Sequence, residues 1–147
     1  VDDVTPIAVS LHADDCHDSR LRALLARMAI GSAKCVLVVD DVKSLRKLIR
    51  QLLERQGCVV VEASGRESAL RALREHREID AALIDVSLPS IHGPDLLQLL
   101  REVMPALPAV FMSGYPVEEV RGIGSEGFLR KPFSKDELLA ALAIATG

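Results

Sequence analysis

The chain has 147 residues, 49% hydrophobic and 27% charged, which excludes a disordered or collagen-like polymer and fits one ordinary domain with a tail to spare. A formal charge of −3 leaves no basic stripe for nucleic acid, and three Phe, one Tyr and no Trp leave no stacking platform for single strands. The core must be aliphatic, and the longest apolar run, residues 138–145, is far too short to span a membrane.

Three cysteines, Cys16, Cys35 and Cys58, are an odd number without CxxC spacing. Cys35 and Cys58 open apolar runs, so buried thiols in a reducing cytoplasm are expected rather than disulfides or a metal site. The chain starts at Val1 without a signal-peptide pattern and is read as a piece of a longer protein. In residues 1–33, Leu21, Leu24, Leu25 and Met28 form an apolar stripe, which predicts a helix over 19–30 in an N-terminal extension or linker. That stripe must be covered, by the following domain or by a second copy of the chain, so a homodimer is an expectation.

From residue 34 to 147 the pattern is regular. Val36 to Val39 is a β-branched run ending at Asp40-Asp41. Leucines and Ile49 then recur at helical spacing until Gly57. Val59 to Val61 is a second strand, and Ala69, Leu70, Ala72 and Leu73 mark a second helix with Arg71, Arg74 and Arg77 on its wet side. Ala81 to Ile84 is a third strand, ending at Asp85. Pro89 and Gly93 punctuate a loop, and Pro94 suits the first turn of a helix carrying Leu96, Leu97, Leu100 and Val103. Ala109 to Met112 is a fourth strand, ending at Ser113-Gly114. A short, poorly apolar helix is expected over 117–121, then a brief strand at Phe128-Leu129. Ser134 and Glu137 spell a capping box for a last helix bearing Leu138, Leu139, Leu142 and Ile144.

Apolar strands alternating with helices predict an α/β fold, a doubly wound five-stranded parallel sheet covered on both faces. In such sheets the functional crevice lies at the carboxyl ends of the strands. Asp40-Asp41, Asp85, Ser113 and Lys131 all fall there, so four segments deliver polar groups to one rim. Converging carboxylates raise each other's pKa unless a cation intervenes, and a hard divalent ion such as Mg²⁺, or Mn²⁺ in its place, relieves the conflict. Lys131 adds a mobile positive charge and Ser113 a hydroxyl donor. Together these are the parts of in-line phosphoryl transfer to an aspartate. The literal GxGxxG at residues 122–127 follows a helix and precedes a strand, the reverse of a dinucleotide fingerprint, and is read as a glycine-rich turn.

Four stretches in order, VLVVDD at 36–41, LIDVSLP at 83–89 with Gly93, MSG at 112–114 and FLRKPF at 128–133, resemble the receiver domain of two-component response regulators, over roughly residues 34–146. The resemblance implies a flavodoxin-like sheet of order 2-1-3-4-5. It implies that Asp85 is the phosphoacceptor, that Asp41 is a direct metal ligand and that Asp40 holds a metal-bound water. The Ser87 backbone carbonyl would complete the metal shell. Ser113 and Lys131 would contact the phosphoryl group, and Phe128 stands where the family carries an aromatic switch. Ser87 and Tyr115, each two residues past a site residue, would tune hydrolysis. The phosphoryl donor would be a histidine kinase or histidine phosphotransfer protein, and the chain would catalyse only its own phosphotransfer and slow dephosphorylation. Val42 stands where the family often has an acid or amide, a position that is not a required ligand. Only fourteen residues separate Ser113 from Phe128, which predicts a short or distorted fourth helix and resembles receivers attached to hybrid sensor kinases. Two alternatives stay open: a phosphorylation-independent protein-binding module of the same fold, and a haloacid-dehalogenase-type phosphatase. The latter would need Asp-x-Asp after the first strand, where this chain has Asp40-Asp41-Val42.

Overall fold

The computed structural model describes residues 33–147; the expected helix over 19–30 lies outside the described residues. The elements follow as β1 (Cys35–Val39), α1 (Lys43–Glu54), β2 (Val59–Ala63), α2 (Arg66–Glu75), β3 (Ala81–Asp85), α3 (Gly93–Val103), β4 (Ala109–Ser113), a 3₁₀ turn (Val117–Glu119), β5 (Gly127–Arg130) and α4 (Lys135–Thr146). All five strands are parallel, in the order β2-β1-β3-β4-β5.

Period-two alternation divides the strand side chains between two cores. Leu37, Val39, Ala82, Ile84, Ala109 and Phe111 face α2 and α3, where Ala69, Leu73, Leu96 and Leu100 cover them. Val36, Val38, Ala81, Leu83, Val110 and Met112 face α1 and α4, where Ile49, Leu53, Leu138 and Leu142 close the other side. Each fully buried leucine or isoleucine contributes about 1.5–3 kcal/mol relative to exposure. The three inner strands β1, β3 and β4 are buried along their whole length, so their carboxyl ends form a rigid edge.

The edge strands depart from the expectation of uniform apolarity. β2 runs on through Glu62 to Ala63, and Val59 at its start is exposed. Glu62 is tolerated there because only one side of an edge strand is paired, and its carboxylate meets Arg46 and Arg50. In α4, Leu138, Leu139 and Leu142 are buried but Ile144 is 81% exposed, because two residues past Leu142 is about 200° around the helix. The capping box forms as expected: Ser134 Oγ accepts the Glu137 N–H at 3.1 Å, and Glu137 Oε1 accepts the Ser134 N–H at 2.9 Å.

The short helix expected over 117–121 is a 3₁₀ turn of three residues with no buried side chain. Without an apolar stripe it has nothing to bury, so the β4–β5 connection is strapped to α3 instead. Arg101 Nη1 donates to Glu126 at 2.9 Å, while its Nε and Nη2 bind the Leu107 carbonyl. Burial pushes Glu126 up, but hydrogen bonds from Arg101 and the Gly124 N–H outweigh it and hold the carboxyl below its usual range. His92 Nε2 lies 2.9 Å from the Arg121 carbonyl.

Gly57 ends α1 with φ +89°, a left-handed conformation that glycine adopts without strain. Gly93 is needed for a different reason. A Cβ there would lie 2.6 Å from the Asp85 carbonyl oxygen and 2.8 Å from the Val86 Cα. The start of α3 therefore abuts the backbone that carries Asp85. Gly93→Ala is expected to lower unfolding free energy in urea by about 1–3 kcal/mol, the usual cost of overpacking. Gly114→Ala, where a Cβ meets nothing within 4 Å, should leave the midpoint in place.

Candidate functional site

Each inner strand delivers its polar residue at the point where the sheet ends. Asp40 follows β1 and is fully buried. Its N–H donates to the Ala63 carbonyl at 3.1 Å, its Oδ1 accepts the Val42 N–H at 2.8 Å, and its Oδ2 lies 3.1 Å from Lys131 Nζ. Asp41 is exposed at the mouth. Asp85 ends β3, nearly buried, with Oδ1 accepting the Ser87 N–H at 3.2 Å and lying 3.5 Å from Lys131 Nζ. Lys131 follows β5, and its backbone N–H donates to the Ser113 carbonyl at 2.7 Å, which ties the lysine to the end of β4. The cation thus reaches two carboxylates from the far side of the sheet.

Asp40, Asp41 and Asp85 each offer a carboxylate oxygen, and these oxygens lie within 4.8 Å of one another. Burial pushes the Asp85 carboxyl above its ordinary value and the charge of Asp40 pushes it further; Lys131 and the Ser87 N–H oppose this without cancelling it. Among the described residues, one lysine facing three acids leaves an excess of negative charge in a partly dry crevice. An all-oxygen donor set with that excess fits a hard divalent cation.

Ser113 is fully buried at the end of β4, and its Oγ accepts the Tyr115 N–H at 2.9 Å. That bond occupies one lone pair and leaves the hydroxyl proton free to be donated. Ser87 and Tyr115 are exposed, and both line a cavity of about 450 Å³ that Ile91, His92, Glu119 and Val120 complete. Phe128 is not at the rim. It pairs with Phe111 within the sheet and lies half-buried against the α2–α3 core, alongside Val120 and Ile123.

Of two further residues that hold the site, Arg46 was not singled out for it in the sequence, while Gly93 was read only as part of the motif around Asp85. Arg46 Nη1 donates to the Asp40 carbonyl at 2.6 Å, and Gly93 gives room to the Asp85 backbone. For Arg46 the available signal was Glu62, a charged residue in the otherwise apolar β2.

Comparison with known proteins matches residues 36–143 to the response regulator receiver domain. The probable transcriptional regulatory protein TcrX of Mycobacterium tuberculosis is 34% identical over 120 residues, 79% of this chain and 51% of that protein. Protein PilG of Pseudomonas aeruginosa is 31% identical over 114 residues, 73% of this chain and 83% of its own length. The crystal structure of the receiver domain from the hybrid histidine kinase CckA superposes with a TM-score of 0.66 at 32% identity, covering 77% of this chain and 99% of that one. The chain spans about half the length of TcrX and of the transcriptional regulatory protein CpxR of Escherichia coli, to which it is 35% identical over 111 residues. Among the described residues, no helix is long and apolar enough to cross a membrane.

The raised Asp85 carboxyl has a consequence for stability. A carboxyl that binds its proton more tightly when folded adds stability at low pH, and that stability is lost as pH rises through the folded value. At neutral pH an ionised Asp85 therefore strains the fold. Asp85→Asn is expected to raise the thermal midpoint at pH 7, and the gain should shrink as the pH falls toward the ordinary Asp range of about 4. Circular dichroism melts at both pH values check the sign.

Proposed function

This chain belongs to the response regulator receiver domain family, and on that footing we propose that Asp85 accepts a phosphoryl group from a phosphohistidine partner. Residues 34–147 form the receiver and residues 1–33 a linker or extension. The observation that carries the reading is the convergence of Asp40, Asp41, Asp85 and Lys131 at the carboxyl edge of the sheet.

Each residue has a role that follows from its position. Asp85 attacks phosphorus through a carboxylate oxygen, and the phosphorus–nitrogen bond to the donor imidazole breaks. The leaving nitrogen keeps the electron pair. Lys131, already between Asp40 and Asp85, moves its charge onto a phosphoryl oxygen as that oxygen arrives. Ser113 donates its hydroxyl proton to another. Mg²⁺, or Mn²⁺, would be held by Asp40, Asp41, Asp85 and the Ser87 backbone carbonyl. When bound it neutralises charge on the transferring group. Ser87 and Tyr115, facing one cavity beside Asp85, set how readily water reaches the acyl phosphate.

Phosphorylation then shifts a pre-existing equilibrium. Movement of Ser113 toward the phosphoryl group pulls on the Tyr115 N–H and the 3₁₀ turn, and the half-buried Phe128 repacks in the space this opens. The chain acts as a signalling phosphoacceptor whose only chemistry is its own phosphorylation and slow dephosphorylation. A histidine kinase or histidine phosphotransfer protein is the partner, and the likeness to the CckA receiver favours a hybrid kinase as the parent. Buried free thiols at Cys35 and Cys58, the latter pushed by burial up to about 11, suit a reducing cytoplasm.

Incubation with acetyl phosphate and Mg²⁺, followed by intact mass, is expected to add one phosphoryl mass. That mass should be absent from Asp85→Asn and from wild-type chain in EDTA. An unmodified wild-type mass would favour the phosphorylation-independent module, and sustained turnover of phosphate esters the phosphatase.

A further inference from the structure

The β1–α1 junction carries two of the three acids, and a cation outside the cluster grips it. Arg46 lies one turn into α1, with its side chain 13% exposed. Its Nη1 donates to the backbone carbonyl of Asp40 at 2.6 Å, and its Nε donates to Glu62 Oε1 at 3.0 Å. Glu62 stands on the edge strand β2, and its second oxygen accepts from Arg50 Nη1 at 2.6 Å. Arg50 Nη2 in turn binds the Val60 carbonyl at 3.0 Å. A line of charged groups therefore runs from the outer edge of the sheet to the peptide between Asp40 and Asp41.

That peptide is a rigid plane: the Asp40 carbonyl, the Asp41 nitrogen and the Asp41 Cα turn together. A guanidinium on the carbonyl restrains the rotation of the plane, and so narrows the directions in which the Asp41 Cβ can leave the backbone. Asp40 is held independently, through its N–H, its Oδ1 and Lys131. Asp41 is exposed, so its direction depends on the backbone beneath it. The grip on the carbonyl therefore acts on Asp41 more than on Asp40. Glu62 holds Arg46 in the rotamer that reaches the carbonyl, since its Oε1 takes the Nε that would otherwise turn to water.

We infer that Arg46 is a positioning residue for divalent-cation binding, oriented by Glu62, and that it acts by setting the angle of the Asp40–Asp41 peptide. This rests on the reading that the acid cluster holds Mg²⁺. Arg46 itself contacts neither ion nor phosphoryl group. Arg50 is the internal control, because it shares Glu62 but does not touch Asp40.

Mg²⁺ titration of the ¹⁵N-labelled chain, followed through the amide signals of Asp41, Val42, Val86 and Ser87, separates the roles. Arg46→Ala is expected to weaken Mg²⁺ about tenfold, Arg46→Lys by less, and Arg50→Ala by under about twofold, as removal of a residue that orients a metal ligand usually does. The spectra report folding in the same samples, and the lysine variant keeps the charge where alanine loosens the junction. Affinity for Arg46→Ala equal to wild type, or an equal loss in Arg50→Ala, would overturn the role of Arg46. A wild-type chain whose amides ignore Mg²⁺ would overturn the metal reading itself, a different failure.

Discussion

Three carboxylates held within 4.8 Å of one another repel, and most of this structure is arranged to keep them there. Two are buried, so water cannot disperse their charge. Among the described residues, the ammonium group of Lys131 stands 3.1 Å from Asp40 and 3.5 Å from Asp85 and answers part of the repulsion. The remainder shows as an Asp85 carboxyl pushed above its ordinary value by burial and by its neighbour. A crevice in that condition favours whatever brings positive charge and gives way to whatever changes the charge on Asp85. Under the proposed function, sensitivity to cations and to phosphorylation would come from the same unbalanced electrostatics.

Rigidity elsewhere makes that imbalance useful. The inner strands are anchored by two aliphatic cores, one on each face, so their ends cannot drift apart to relieve the repulsion. Gly93 lets α3 start against the Asp85 backbone, and Arg46 ties the Asp40 carbonyl to the edge strand. The softer part is the β4–β5 connection, where a 3₁₀ turn replaces a full helix and polar contacts from Arg101 and His92 secure the loop to α3. A change at Ser113 meets less packed apolar surface in that direction than toward either core.

The inner strands and the last helix were legible in the sequence because β-branched runs and the Ser134–Glu137 box are local signals. The place of the five rim residues, Asp40, Asp41, Asp85, Ser113 and Lys131, at strand ends was legible too, because parallel sheets bring strand ends together whatever lies between them. Other features depended on contacts remote in sequence. Lys131 meets Asp40 across 91 positions and also reaches Asp85, as their shared rim implied, but the strand pattern gave no distances. The second strand, read as Val59 to Val61, runs on through Glu62 because bonds to Arg46 and Arg50 hold its carboxylate at the sheet edge. The turn at 117–119 could not be told from a short helix by periodicity, since three residues carry none. Ile144 joined the apolar set by composition but falls on the opposite side of α4 from Leu142.

The central claim is that the acid cluster is one cation site built from three separate residues. Titration of Mn²⁺ into the purified chain, read by electron paramagnetic resonance, tests it most directly. One saturable site per chain is expected, displaced by Mg²⁺ and lost in Asp41→Ala while the fold is retained. Mn²⁺ that stays free in the wild type, or binds Asp41→Ala equally well, would contradict it.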